Sequence, residues 1–220
     1  LLFLAGFAVY VFCLGPGTDW LDSGELLAGA HALGVSHPPG QPLYTLLAKA
    51  TMLFPAGGLA TRGALVGAIA AAAAWPLLYR LTLAIVHAAS PGGRSADPYA
   101  CLIAAASAVA FGLLAPSLVE GTRAEVYSLT LAGLLASMLG ALAWARTRDS
   151  RALVLVAFVL GLTASANPLL AGVLVGAVAV YALLVAPREA VRATGAAAAA
   201  LVLGASVYVL LAVRAGAGAD

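Results

Sequence analysis

Charge is scarce in this chain of 220 residues: 9% are Asp, Glu, Lys or Arg, against roughly a quarter in an ordinary soluble domain. With 63% hydrophobic residues and a mean hydropathy of +1.04, such a chain cannot cover a water-facing surface. Lipid must be the solvent for most of it. The 11 basic residues are dispersed and the net charge is only +2, so there is no basic footprint and nucleic acid is not an expected partner. Cysteine is nearly lacking. Cys13 and Cys101 stand alone in apolar stretches without C-x-x-C spacing, which excludes a structural zinc site and a disulfide framework. Two buried structural thiols are expected. No internal repeat is present.

What the chain has instead is apolar length. A helix needs about 20 apolar residues to cross a bilayer, and seven stretches meet or approach this: 1–14, 62–87, 98–115, 126–145, 152–166, 168–186 and 194–213. The expected fold class is an all-α polytopic membrane bundle with about seven spans, a single transmembrane domain over 1–220. Leu1 already lies in an apolar run with no A-x-A-like cleavage site after it. The first stretch therefore reads as a clipped transmembrane helix rather than a signal peptide, and the chain as an N-terminal piece of a longer protein. The fifth and sixth stretches adjoin at Asn167-Pro168. As one helix they would run about 50 Å, far beyond a hydrocarbon core of about 30 Å, so a turn is expected there. Polar segments then alternate between two sides. Arg94, Arg146, Arg148, Arg151, Arg188 and Arg192 fall on one, which the positive-inside rule makes cytoplasmic. Asp19, Asp22, Glu25, Lys49, Glu120, Arg123 and Glu125 fall on the other.

The first non-cytoplasmic loop, 16–61, carries most of these groups. Asp22-Ser23-Gly24-Glu25 has the spacing of a capping box, and Leu26, Leu27, Ala30 and Leu33 follow at helical spacing. An interfacial amphipathic helix is expected. His37-Pro38-Pro39-Gly40 must break it, and a second short helix is expected from Pro42 to about Leu53. Two small-residue faces, Gly63-x-x-x-Gly67 and Gly172-x-x-x-Gly176, would permit close helix packing, though such spacings arise easily by chance in a chain this rich in Gly and Ala.

Ionisable residues held against a membrane are functional candidates by default. Asp22 and Glu25, three apart, present their carboxylates to one side. They read either as a catalytic base with a tuning neighbour or as a plain helix cap. His37 precedes a rigid turn that would fix its imidazole: a phosphate or substrate ligand, or a surface histidine. Arg123, a planar permanent cation, suits phosphate recognition, or else an ion pair with Glu120 or Glu125. Asn167 reads as a turn former.

These pieces, in order, carry a resemblance. Asp22-Ser23-Gly24-Glu25, Leu33-Gly34-Val35, His37-Pro38-Pro39-Gly40 and Pro42-Leu43-Tyr44 resemble the signature of the DUF2723 membrane proteins. So do Ala124-Glu125-Val126-Tyr127-Ser128-Leu129 and Gly161-Leu162 leading to Asn167. That family is related to the protein O-mannosyltransferase-like transmembrane proteins. The resemblance implies a GT-C glycosyltransferase fold, a polyprenyl-phosphate sugar as donor, and a catalytic Asp in the first non-cytoplasmic loop. Asp22 matches that Asp, with Glu25 beside it. His37, Arg123 and Glu125 match positions in the other motifs, and Asp19, Tyr44 and Lys49 join them as candidate substrate-binding residues. Where the family usually shows Asn-His, this chain has Asn167-Pro168.

The expected function is transfer of a mannose-like sugar from a polyprenyl-phosphate carrier to a protein or glycan hydroxyl, with inversion. No metal or other cofactor is expected to be obligatory, because a lipid phosphate leaves readily and the spacing shows no dense ligand cluster. A non-catalytic membrane scaffold is one alternative. A transporter is another, disfavoured because charge lies near helix ends rather than at mid-membrane. Lys49 is the single lysine among the basic residues. That usage, with abundant Ala and Gly, points to a GC-rich genome and a bacterial inner membrane, with the loop on the periplasmic or extracellular side.

Overall fold

A computed structural model describes residues 1–15, 22–55, 57–89 and 98–217. All secondary structure among them is helical: α1 (Leu2–Phe12), α2 (Ser23–Ala32), α3 (Pro42–Met52), α4 (Leu59–Ala89), α5 (Pro98–Leu113), α6 (Ala115–Thr122), α7 (Tyr127–Thr147), α8 (Ser150–Ala164), α9 (Pro168–Val185), α10 (Pro187–Ala205) and α11 (Val209–Gly216). A 3-10 turn, Ser206–Tyr208, joins the last two.

Each of the seven apolar stretches contains a helix, but their lengths differ. Four runs are long and apolar enough to cross a membrane: α4, α7, α9 and the continuous segment Pro187–Gly216. A fifth arises if α5 and α6, bent by 63°, count as one span. The bend follows from Leu114, whose extended backbone precedes the new start at Ala115-Pro116; proline cannot donate the bond that would continue the helix. α1 and α8, of 11 and 15 residues, reach only about 16 and 22 Å. Length alone therefore admits four or five spans among the described residues, where composition suggested seven.

The turn between α8 and α9 forms where Pro168 requires it. Asn167 caps α9 by accepting from the Leu170 N–H at 3.2 Å. At the opposite end of the bundle Asp149 caps α8 by accepting from the Arg151 N–H at 3.0 Å. Arg148, left-handed at φ 58, donates to the Val185 carbonyl at 3.2 Å, a cation on the last turn of α9.

Glycine decides how closely these helices approach. A Cβ at Gly161 would lie 2.1 Å from the Leu201 carbonyl oxygen, and one at Gly204 would lie 2.3 Å from that of Phe158, so α8 and α10 cross backbone to backbone. Of the two small-residue faces, Gly172 and Gly176 pack against nothing among the described residues. The Gly63–Gly67 face of α4 is filled. Leu27 of α2 and Met52 of α3 press on Gly63, and the Arg123 carbonyl lies 2.7 Å from where a Gly67 Cβ would stand. One turn further, Ala71 lies beside Gly121. Then Trp75 packs edge-on against Tyr10, whose hydroxyl accepts from the indole N–H at 3.3 Å and donates to the Gly112 carbonyl at 2.9 Å. α4 is thus the post on which α1, the loop helices and the α6–α7 junction are mounted.

The expectation of two buried thiols is corrected. Cys13 is exposed and Cys101 half-buried, because an apolar side chain in a membrane helix faces lipid as readily as protein.

The two glycine faces predict opposite responses to one added methyl. Gly67→Ala drives a Cβ into the Arg123 carbonyl and should cost about 1–3 kcal/mol, the usual penalty for overpacking. Gly172→Ala meets open space and should stabilise α9 by up to about 1 kcal/mol through helix propensity. Thermal unfolding in detergent micelles reads both; equal responses would contradict the packing.

Candidate active site

Two helices and a turn build the first part of the site. α2 buries Leu26, Leu27 and Ala30, the apolar spacing noted above, and so presents its N-terminus outward. Asp22 takes the N-cap position there, yet its side chain caps nothing. Glu25 does not reach back either: its two oxygens serve His37, accepting from the backbone N–H at 2.5 Å and facing Nδ1 at 3.1 Å. Asp22 Oδ2 stands 3.6 Å from His37 Nε2. The capping-box bonds are therefore absent, and the physical reason is the fold-back of 33–41, which offers these carboxylates better-placed donors.

That fold-back is closely specified. Leu33 turns left-handed at φ 52 and Gly34 N–H returns to the Gly29 carbonyl at 2.8 Å, a Schellman-type ending. Gly40 N–H then closes on the His37 carbonyl at 2.8 Å. Gly40 adopts φ +90, and a Cβ there would lie 2.5 Å from Leu211 of α11, so glycine is required on both counts. Buried Ser36 donates to Gln41 Oε1 at 2.8 Å or to the Gly40 carbonyl at 3.0 Å. Arg214 of α11 grips the other end, donating to the Leu33 and Ala32 carbonyls at 2.7 and 3.2 Å. α11 thus holds both ends of the turn that aims His37.

α3, on the far side of the turn, buries Tyr44 completely, its hydroxyl 3.4 Å from the Gly63 carbonyl. Burial first, and the Glu125 charge second, push the Tyr44 phenol well above its ordinary range. Lys49 donates to the His31 carbonyl at the end of α2, away from the carboxylates. Asp19 lies outside the described residues.

The second part is the α6–α7 junction. Ala124 and Val126 pack into the same apolar cluster as Leu26, Leu27 and Tyr44, which carries Glu125 against α2. Glu125 is 4% exposed, and its Oε1 has no hydrogen-bond partner among the described residues. Burial raises its carboxyl above the usual range; the charges of Asp22 and Glu120 add to this, while Arg123 and His37 oppose it. Glu25 moves the other way, lowered chiefly by the His37 backbone N–H. Two carboxylates near one imidazole are thus pushed apart.

Of the residues expected at the site, Asp22, Glu25 and His37 are in direct contact, and the fields of Asp22, His37 and Arg123 all reach Glu125. Asp22, Glu25 and His37 also offer three ligand atoms within 4.8 Å of one another, a set able to hold a metal ion. Sequence reasoning missed Ser36, Gln41 and Arg214, the last 181 residues from its partner and without any local signal. It also gave no role to Glu120 beyond an ion pair. Glu120 lines a cavity of about 430 Å³ with Tyr10, Phe111, Ser117, Ser128 and Leu134, and its Oε2 is buried without a partner among the described residues.

Comparison with known proteins gives the family. The chain is 46% identical over 80 residues to the Protein O-mannosyl-transferase TMEM260 of Mus musculus, a match covering 34% of this chain and 11% of the relative. It is 45% identical over 47 residues to the Protein O-mannosyl-transferase tmem260 of Dictyostelium discoideum, covering 21% of this chain and 6% of that protein. The matches thus span about a tenth or less of these curated relatives' own length. No solved structure matches. The family described as Protein O-mannosyl-transferase TMEM260 N-terminal domain matches residues 22–193, from Asp22 itself through most of the helical bundle. The chain therefore belongs to the family of the Protein O-mannosyl-transferase TMEM260 N-terminal domain.

Proposed function

We infer that this chain is the active-site part of a membrane glycosyltransferase of GT-C type, close to the DUF2723 proteins. It transfers a mannose-like sugar from a polyprenyl-phosphate carrier to a hydroxyl of a protein or glycan. The relatives' names support the sugar and a protein acceptor. The observation that carries the reading is the release of Asp22 and Glu25 from capping: both carboxylates sit at a helix start, half-exposed, and turn to His37.

Asp22 takes the proton of the acceptor hydroxyl. The acceptor oxygen attacks the anomeric carbon from the face opposite the phosphate. The bond from that carbon to the phosphate oxygen breaks, its electron pair leaves with the lipid phosphate, and the configuration inverts. Arg123 and His37 hold the donor phosphate, the guanidinium offsetting its charge as it leaves, and Glu25 holds the imidazole. The donor is a substrate, and no obligatory cofactor enters this scheme. In this proposal all seven apolar stretches cross the bilayer and loop 16–61 lies away from the cytoplasm. Residue usage favours a bacterial inner membrane, whereas the relatives are eukaryotic.

Kinetics of the full-length protein test the assignment. Asp22→Asn should lower kcat by about 10²–10⁴, the range for loss of a general base, with donor binding retained. Arg123→Ala should act mainly through a raised KM. Asp22→Asn turning over at the normal rate would defeat the base assignment.

Glu125 supplies a separate prediction in pH. Its carboxyl is raised in the folded state, so ionising it opposes folding, and that cost is fully present above the folded value. The cost fades as pH falls through the folded value towards the unfolded one. Glu125→Gln should therefore raise Tm at neutral pH, with a gain that disappears near the ordinary carboxylate range. A gain independent of pH would contradict the burial argument.

A further inference from the structure

We propose that Asp22 and His37 bind a divalent cation of the Mn²⁺ type, with Glu25 orienting the imidazole and Glu125 forming the buried acidic wall of the site. This rests on the reading of the α2 loop as the active site and adds an ion to it.

Three observations converge. First, the hydrogen bonding of His37 fixes its roles. Glu25 is ionised and can only accept, so the ring nitrogen 3.1 Å from it, Nδ1, carries the proton. The other ring nitrogen, Nε2, faces Asp22 Oδ2 at 3.6 Å, longer than a good hydrogen bond. Gln41 Nε2 is 3.5 Å from the same nitrogen, long for a hydrogen bond. With the proton on Nδ1, Nε2 and Asp22 Oδ2 are placed to ligate one cation between them. Adjacent octahedral ligands about 2.1 Å from one ion stand about 3.0 Å apart, so a small rotation from the 3.6 Å seen here seats an ion between them. A carboxylate on Nδ1–H with a metal on Nε2 is also the usual way a ligating histidine is oriented.

Second, the ligand atoms of Asp22, Glu25 and His37 all lie within 4.8 Å of one another. Ligands on one ion stand at most about 4.2 Å apart, and these side chains are 38–58% exposed, so closing the remaining gap needs only side-chain rotation.

Third, Glu125 is a buried acid held beside this pair. It is 4% exposed, and its Oε1 has no partner among the described residues, a costly state for a carboxylate. Its neighbours Ala124 and Val126 hold it against α2, and of the surrounding charges Asp22 acts on it most strongly. Glu120 adds negative charge, against Arg123 and His37 among the described residues. An ion between Asp22 and His37 compensates this wall. Carboxylates with one imidazole and open positions suit Mn²⁺ better than the thiolate-loving metals.

The test uses the full-length protein in micelles of uncharged detergent, stripped with EDTA and titrated with Mn²⁺ under electron paramagnetic resonance. The expected result is one Mn²⁺ per chain, with ¹⁴N modulation from a coordinated imidazole in pulsed spectra. Asp22→Asn and His37→Ala should each weaken binding at least tenfold, and Gly172→Ala should leave it unchanged. Absence of stoichiometric binding, or bound Mn²⁺ without the nitrogen signal, overturns the proposal; the wild-type spectrum decides this even where a variant fails to fold. Sugar transfer that persists in EDTA with no Mn²⁺ bound would remove the ion and leave the transferase. A nitrogen-coupled Mn²⁺ in a protein that transfers no sugar would do the reverse.

Discussion

The structure depends on how closely other backbones can approach α4. At Gly67 the carbonyl of Arg123 comes to 2.7 Å from the place of a missing Cβ, and at Gly63 Leu27 and Met52 fill the equivalent space. In lipid no hydrophobic force drives helices together, so association rests on such close contact. Here the contact has a second consequence. It brings α2, α3 and the α6–α7 junction onto one face of one helix, so that residues about a hundred positions apart share a single site. Together with the apolar cluster of Leu26, Leu27, Ala124 and Val126, it brings the charges of Asp22 and Glu125 within reach of one another.

The electrostatics follow from this forced proximity. Several carboxylates gather around one imidazole and one guanidinium, and their environments divide them. Glu25, exposed and bonded by the His37 N–H, is held ionised; Glu125, buried and unpartnered among the described residues, is pushed towards its neutral form. Carboxylates with separated proton affinities are what acid–base chemistry at one pH requires. The hold on His37 comes from α11, whose Leu211 and Arg214 meet opposite ends of its turn. The segment that aims the imidazole is therefore held both by its own hydrogen bonds and by the last helix described.

Much of this was legible from residues alone. The apolar stretches, the break at Asn167-Pro168, and the two loop helices parted by His37–Gly40 follow from length, proline and periodicity, which are local properties. The capping box was misleading for a local reason as well: Asp22 and Glu25 have the right spacing, but spacing cannot show that a turn folds back to claim them. Gly63–Gly67 and Gly172–Gly176 read identically in sequence, yet one face is packed and the other open. What covers a helix face is a tertiary fact. Arg214 was invisible for the same reason, since its partners lie 181 and 182 residues away. The metal-capable trio of Asp22, Glu25 and His37 was hidden by a twelve-residue gap between Glu25 and His37, which no ligand spacing rule covers.

The central claim is that these groups transfer a sugar from a lipid phosphate. Its most direct test reconstitutes the full-length protein in vesicles with ¹⁴C-mannose on polyprenyl phosphate, presented on the side of the α2–α3 loop, together with an acceptor protein. The account predicts label on acceptor hydroxyls and release of the unlabelled lipid phosphate. Label that stays on the lipid while the donor is bound, or that reaches the acceptor only from a nucleotide-linked sugar, would contradict it.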